Sequence, residues 1–97
     1  MIRHVVLFTW TDDMTGELEQ QFASELTALA ATLPQVRSYH AGPDAGVIDG
    51  NYDFAVTADF DDMESYLAYR DNPAHQDIIS RLSRPHIKER ASVQYEI

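Results

Sequence analysis

The stretch Tyr69-Arg70-Asp71-Asn72-Pro73-Ala74-His75 sets a phenol and an imidazole on either side of a helix start. Both groups can move protons near neutral pH. An imidazole held neutral is a general base, and a tyrosine hydroxyl can polarise an oxygen. Asn72 has the side chain of an N-cap, and proline is tolerated at the first helical position. His75 then falls one turn in, where the helix dipole and free N–H groups disfavour protonation. Ile78, Ile79 and Leu82 follow three, four and seven positions on, which puts His75 on the apolar, core-facing stripe. His4 alternates with Val6 and Phe8 along a strand pattern and so faces the same core. The competing reading of each is a core histidine satisfied by one hydrogen bond.

Elements must exist to position these groups. Arg3 to Trp10 is rich in β-branched and aromatic residues and reads as a strand with apolar centres on both faces. Thr15 caps a helix whose stripe is Leu18, Phe22, Leu26, Leu29 and Leu33, ended by Pro34. Val36 to Ala41 is a more polar strand suited to a sheet edge. Asp44 to Asn51 is a solvated loop, its aspartates not spaced as in an EF-hand. Tyr52 to Phe60 is the clearest strand, alternating Tyr52, Phe54, Val56, Ala58 and Phe60 on one face. Asp61 to Glu64 forms a capping box opening a helix with Met63, Tyr66, Leu67 and Tyr69. The break at Asp71-Asn72 puts Tyr69 in the last turn of that helix and His75 in the first turn of the next. Glu89 to Glu96 is the last strand, with Ala91, Val93 and Tyr95 on its apolar face.

The order β-α-β-β-α-β, the second α a kinked pair, is the ferredoxin-like pattern. It predicts an α+β fold over residues 1–97, one domain, with a four-stranded antiparallel sheet and helices on one face. The strongly apolar face of each strand, the last included, is assigned to the helices. The opposite face keeps Val5, Leu7 and Ala55, ringed by Thr57, Ser92 and Gln94. It is too apolar to stand bare, so the expectation is a homodimer whose two sheets close into a barrel through those residues.

Composition excludes several classes. Seven basic against sixteen acidic residues give a net charge of −9, which argues against nucleic acid or an anionic membrane as partner. There is no cysteine, hence no disulfide, thiol nucleophile or thiolate metal site. No apolar run approaches the roughly 20 residues of a membrane span, and the first residues lead straight into a strand. The expectation is a soluble, cytoplasmic domain. Four histidines invite a metal, but no pair has His-x-x-x-His spacing, so none is expected.

The chain resembles the stress-responsive A/B barrel (Dabb) domain family over essentially its whole length. The resemblance rests on Arg3-His4-Val5-Val6-Leu7-Phe8, Leu33-Pro34-Gln35-Val36, Gly50-Asn51-Tyr52 and Asn72-Pro73-Ala74-His75-Gln76. In relatives the last motif usually reads His-Pro-Ala-His, so Asn72 is a departure. The resemblance implies a ferredoxin-like protomer and a barrel-shaped homodimer. A plant polyketide cyclase of the family uses a histidine and a tyrosine as an acid–base pair without metal or cofactor. These roles fall on His75 and Tyr69, and its first-strand histidine on His4. Phe54 replaces a third-strand pocket histidine there, and Ala23 and His86 stand where that enzyme has bulky aromatics.

These readings predict a small apolar pocket lined by Val6, Phe22, Leu26, Phe54, Val56 and Ile78, with His86 near it. It would take a small apolar ligand. The expected activity is a cofactor-independent lyase or cyclase acting on a small carbonyl or polyketide-like compound. The alternatives are a non-catalytic ligand-binding or stress-associated stability protein and, by analogy of fold, a cofactor-free monooxygenase.

Overall fold

Local signals divide the chain where caps and prolines allow. A computed structural model describes residues 1–97. Thr15 caps helix α1 (Gly16–Ala31), its hydroxyl accepting from the Leu18 amide at 3.1 Å. Helix α2 (Met63–Asp71) is capped by Asp62, which accepts from the Ser65 amide at 2.8 Å. The cap therefore sits one residue later than the Asp61–Glu64 box predicts. Asp61 is taken by Arg37 in a two-pronged ion pair of 2.6 and 2.7 Å. Helix α3 (Pro73–Ile78) starts at Asn72 as the sequence indicates. It widens into a π-turn over Ile79–Ser83 and a 3-10 turn over Arg84–His86.

The strands are β1 (Ile2–Trp10), β2 (Val36–Pro43), β3 (Phe54–Phe60) and β4 (Ile87–Glu96). They form one antiparallel sheet in the order β2-β3-β1-β4, so β2 and β4 are its edges. The β2–β3 loop is tied by Asp44, which accepts from Gly46 N and Asn51 Nδ2. Gly46 and Gly50 have φ of 76° and 88°, a region open to glycine at no steric cost.

Register decides what faces the helices. Opposite residues in an antiparallel pair share a face. His4 pairs with Ala58 and Gln94, Val6 with Val56 and Ser92, and Phe8 with Phe54 and Arg90. The helix-facing side of β4 is therefore Arg90, Ser92 and Gln94. Its apolar residues Ala91, Val93 and Tyr95 lie on the open side with Leu7, Val5 and Arg3. This reverses the sequence-based assignment of β4. The alternation is present as the sequence shows, but its phase is set by pairing to β1, and a shift of one residue turns every side chain over.

Between sheet and helices the core falls into two clusters. Val6, Phe8, Phe22, Leu26, Phe54, Val56, Ile78 and Leu82 make the larger one, and Ala58, Phe60, Tyr66 and Tyr69 the smaller. A cavity lined by residues of both clusters opens between them.

Candidate active site

The joint between α2 and α3 is built by Asn72. Its side-chain oxygen accepts from the Ala74 amide at 2.9 Å and more loosely from His75 at 3.4 Å. That cap turns the chain so that the rings of Tyr69 and His75 meet at a tilt of 41°, with centroids 4.2 Å apart. Helix α3 runs on into the π-turn, a form often found as an insertion at functional sites. From it Ile79 and Ser83, and from the following 3-10 turn Arg84, line a cavity of about 250 Å³. His4 on β1 and His75 on α3 line it too, with Val6, Phe22, Leu26 and Val56 as apolar wall.

Both histidines are almost wholly withdrawn from water, 5 % and 7 % exposed. His75 Nδ1 lies 3.0 Å from the Arg70 carbonyl. A carbonyl can only accept, so Nδ1 carries the proton and the neutral ring has its lone pair on Nε2. Burial lowers the His75 pKa, and the Arg70 carbonyl partly opposes that by favouring the charged ring. His4 shows the opposite tautomer. The Gln94 side-chain nitrogen donates to Nδ1 at 3.0 Å, which leaves the His4 proton on Nε2. Burial first, then the charge of Arg90 and the neighbouring His75, bring the His4 pKa down to about 4.

Neither Nε2 has a protein partner, and neither is sealed away. The one buried side-chain polar atom both unpaired and out of reach of solvent is Thr9 Oγ1. His4 and His75, both on the cavity wall, thus hold one unpaired N–H donor and one unpaired base, neither sealed from solvent.

Tyr69 is 2 % exposed and its hydroxyl lies 2.6 Å from that of Tyr39. Burial raises the pKa of both phenols, Tyr39 to about 12 and Tyr69 further, because Tyr39 sits against it. Two hydroxyls sharing one hydrogen bond keep one proton for an outside acceptor. The phenol function therefore belongs to the Tyr39–Tyr69 pair. Tyr66, with its ring centroid 4.8 Å from that of His4, also lines the cavity.

Tyr39, Tyr66 and Gln94 do not stand out in the sequence. Tyr39 lies on the polar edge strand β2, Tyr66 reads as part of a core stripe, and alternation without register puts Gln94 on the open face of β4. The signal that reaches Gln94 is its register opposite His4.

Three residues expected at the pocket are elsewhere. Phe54 is buried at the far end of the sheet, opposite Phe8 and packed against Trp10 and Phe22. Ile78 belongs to the same packed cluster and does not reach the cavity. His86, in the 3-10 turn around Pro85, does not reach the cavity and has its Nδ1 3.1 Å from Asp13 Oδ1. No group of three His, Asp or Glu side chains is placed to hold a metal ion. No helix is long and apolar enough to cross a membrane.

Residues 2–97 match the family described as the stress responsive A/B barrel domain, Dabb. The chain belongs to the Dabb family. Among solved structures, this Dabb chain is 38 % identical to a dimeric ferredoxin-like protein of unknown function from Thermobifida fusca. That match covers 99 % of this chain and 90 % of the other, with a TM-score of 0.91. A hydroxynitrile lyase from Passiflora edulis is 16 % identical over 99 % of this chain and 92 % of its own, with a TM-score of 0.83. A cofactor-independent oxygenase from Streptomyces nogalater is 12 % identical over 99 % and 91 %, with a TM-score of 0.78. At that distance the last two show a shared fold. No curated protein matches the chain.

Proposed function

We propose that the cavity is the active site of a cofactor-independent lyase or cyclase that moves a proton on a small carbonyl compound. The observation that carries this reading is the opposed pair of tautomers. Arg70 holds His75 with its lone pair on Nε2, and Gln94 holds His4 with its proton on Nε2. His75 Nε2 takes a proton from the carbon next to the carbonyl. The electrons move onto the carbonyl oxygen, which receives hydrogen bonds from His4 Nε2–H and from the spare hydroxyl proton of the Tyr39–Tyr69 pair. The resulting enol(ate) carbon then attacks a second carbonyl in a cyclisation, or the reverse step breaks a carbon–carbon bond. The apolar wall excludes water, which strengthens each of these contacts. The lyase from Passiflora edulis is a precedent for lyase chemistry on this fold.

The test is solvent deuterium exchange into small ketones and aldehydes, followed by NMR. Wild type should exchange the hydrogens next to the carbonyl faster than buffer, and His75→Ala should return the rate to that of buffer. A rate unchanged by His75→Ala removes the base from the proposal.

A second reading, ligand binding without turnover as in a stress-associated stability protein, draws on one observation. Tyr69 is nearly sealed and already hydrogen-bonded to Tyr39. Compounds that bind at His75 but show no exchange would select it. The cofactor-free monooxygenase reading draws on the Streptomyces nogalater fold likeness alone. Turnover that consumes oxygen would select that one.

The functional unit we propose is a homodimer. The open sheet face carries Val5, Leu7 and Ala55, and the register adds Val93, 53 % exposed, and Tyr95, 44 % exposed. A contiguous apolar face of this kind on a small domain marks an interaction site. The dimeric description of the Thermobifida fusca relative supports a second copy as its cover.

A further inference from the structure

Charge at the cavity mouth runs against the charge of the protein. The chain has seven basic and sixteen acidic residues, yet Arg70, Arg84 and Arg90 all line this one cavity. With acid in such excess, a guanidinium ordinarily finds a carboxylate, and most here do. Arg3 pairs with Asp59, Arg37 with Asp61, Arg70 with Asp71, and Arg81 with Asp77 and Glu25. Arg84 and Arg90 do not. Arg84 reaches only Ser80 Oγ and Arg90 only Ser92 Oγ, each at 3.2 Å. The two arginines left without a carboxylate thus sit on the wall of the same apolar cavity, one from the 3-10 turn and one from β4.

Each position follows from a local feature. The π-turn before Arg84 shifts the helical phase, so that Ser83 and Arg84 both reach the cavity. Arg90 faces inward because it pairs with Phe8, in the register that also places Gln94 on His4. Its charge is felt at the histidine and at the Tyr66 hydroxyl.

We infer that Arg84 and Arg90 form an anion subsite, and that the ligand is a small carboxylic acid with an apolar body. This rests on the active-site reading above and names its substrate class: a carbonyl compound that also bears a carboxylate. A guanidinium fork matches a carboxylate edge in two parallel hydrogen bonds. With the carboxylate at the exposed arginines, the body lies along Val6, Phe22 and Leu26, and the reacting carbon points inward to the histidines. A cavity of about 250 Å³ is below the roughly 300–1,000 Å³ usual for drug-sized ligands, so one ring or a short chain fills it.

The experiment compares phenylacetate with phenylacetamide, which has the same shape without the charge. Binding is read from the amide resonances of His4 and His75 in wild type, in the Arg84→Gln/Arg90→Gln double variant and in Lys88→Gln. The last removes a cation outside the cavity. Wild type and Lys88→Gln should bind the acid at least ten-fold more tightly than the amide, and the double variant should bind the two within two-fold. Equal affinities in wild type, or a preference that survives in the double variant, overturn the anion subsite. The active-site reading then stands, because the His75 resonance still moves. If neither compound moves His4 or His75 at millimolar concentration, both readings fall. Inorganic phosphate is the third arm. It should leave phenylacetate bound, and displacement by phosphate overturns the carboxylate assignment in favour of a phosphate site.

Discussion

His4 is 5 % exposed, sits beside Arg90, and has a pKa of about 4 against an ordinary value of 6.5. His75 is shifted the same way, chiefly by burial. Above pH 6.5 both rings are neutral folded or unfolded, so they add no pH dependence. Between pH 6.5 and about 4 the unfolded chain takes up protons that the folded chain refuses, and stability falls as pH falls. For His4 the loss is roughly 3 kcal/mol over that window, at about 1.4 kcal/mol per unit. Urea unfolding at pH 7 and pH 4.5 should show the decline, and His4→Gln should flatten it. A His4→Gln variant with the wild-type slope would mean that this ring titrates normally. Tyr39→Phe is the second residue-scale expectation. It leaves the buried Tyr69 hydroxyl without its partner, costing about 1–3 kcal/mol in unfolding free energy. The Tyr69 hydroxyl keeps its own proton, so kcat for the exchange reaction should fall sharply only in the Tyr39→Phe/Tyr69→Phe double variant, which removes both phenols. At this scale Tyr69, His75 and His4 are legible in the sequence because caps and strand alternation are local. Tyr39 is not, because its partner lies thirty positions away and only the fold brings their hydroxyls together.

At the scale of elements, the joint between α2 and α3 shows how a short polar signal positions chemistry. Asn72 accepts from two amides of α3, and the turn it makes delivers His75 to Tyr69 and to the Arg70 carbonyl. Asn72→Ala removes that acceptor and should cost about 1 kcal/mol in thermal or urea unfolding. Because the cap also directs His75, its NMR titration should move up towards the ordinary histidine value as the joint loosens and water enters. Asn72→Asp keeps the acceptor and should restore both. A loss of stability with an unmoved His75 titration would show that the cap holds the helix without tuning the site. Helix starts were readable to within a residue, since Thr15 and Asn72 act on amides next to them. The β4 assignment failed for the opposite reason. Alternation states which residues share a face, whereas the pairing of Gln94 with His4 states which face it is, and that information lies on β1.

At the scale of the whole molecule, the reversed phase of β4 changes the case for assembly. Had Ala91, Val93 and Tyr95 faced the helices, the open side of the sheet would offer little beyond Val5, Leu7 and Ala55. With the register as it is, Val93 stands opposite Val5 and Ala91 opposite Leu7, so the apolar patch spans both central strands and the β4 edge. The patch is bordered by the Arg3–Asp59 ion pair, with both prongs satisfied at 2.8 and 3.0 Å and Ser38 adding a third contact to Asp59. Those charges are already matched within the protomer, so a second sheet can cover them without leaving an unpaired ion. Wild type should therefore sediment as a dimer at micromolar concentration. Leu7→Glu places an unmatched carboxylate at the centre of the patch and should weaken association by about 3–5 kcal/mol, enough to yield monomer at the same concentration. The side chain at position 7 points away from the cavity, so the isolated protomer should keep its histidine titrations. Val93→Glu, on the neighbouring strand of the same face, should act in the same direction. A wild type that sediments as a monomer would end the proposal, and a Leu7→Glu variant that remains dimeric would move the interface to another face.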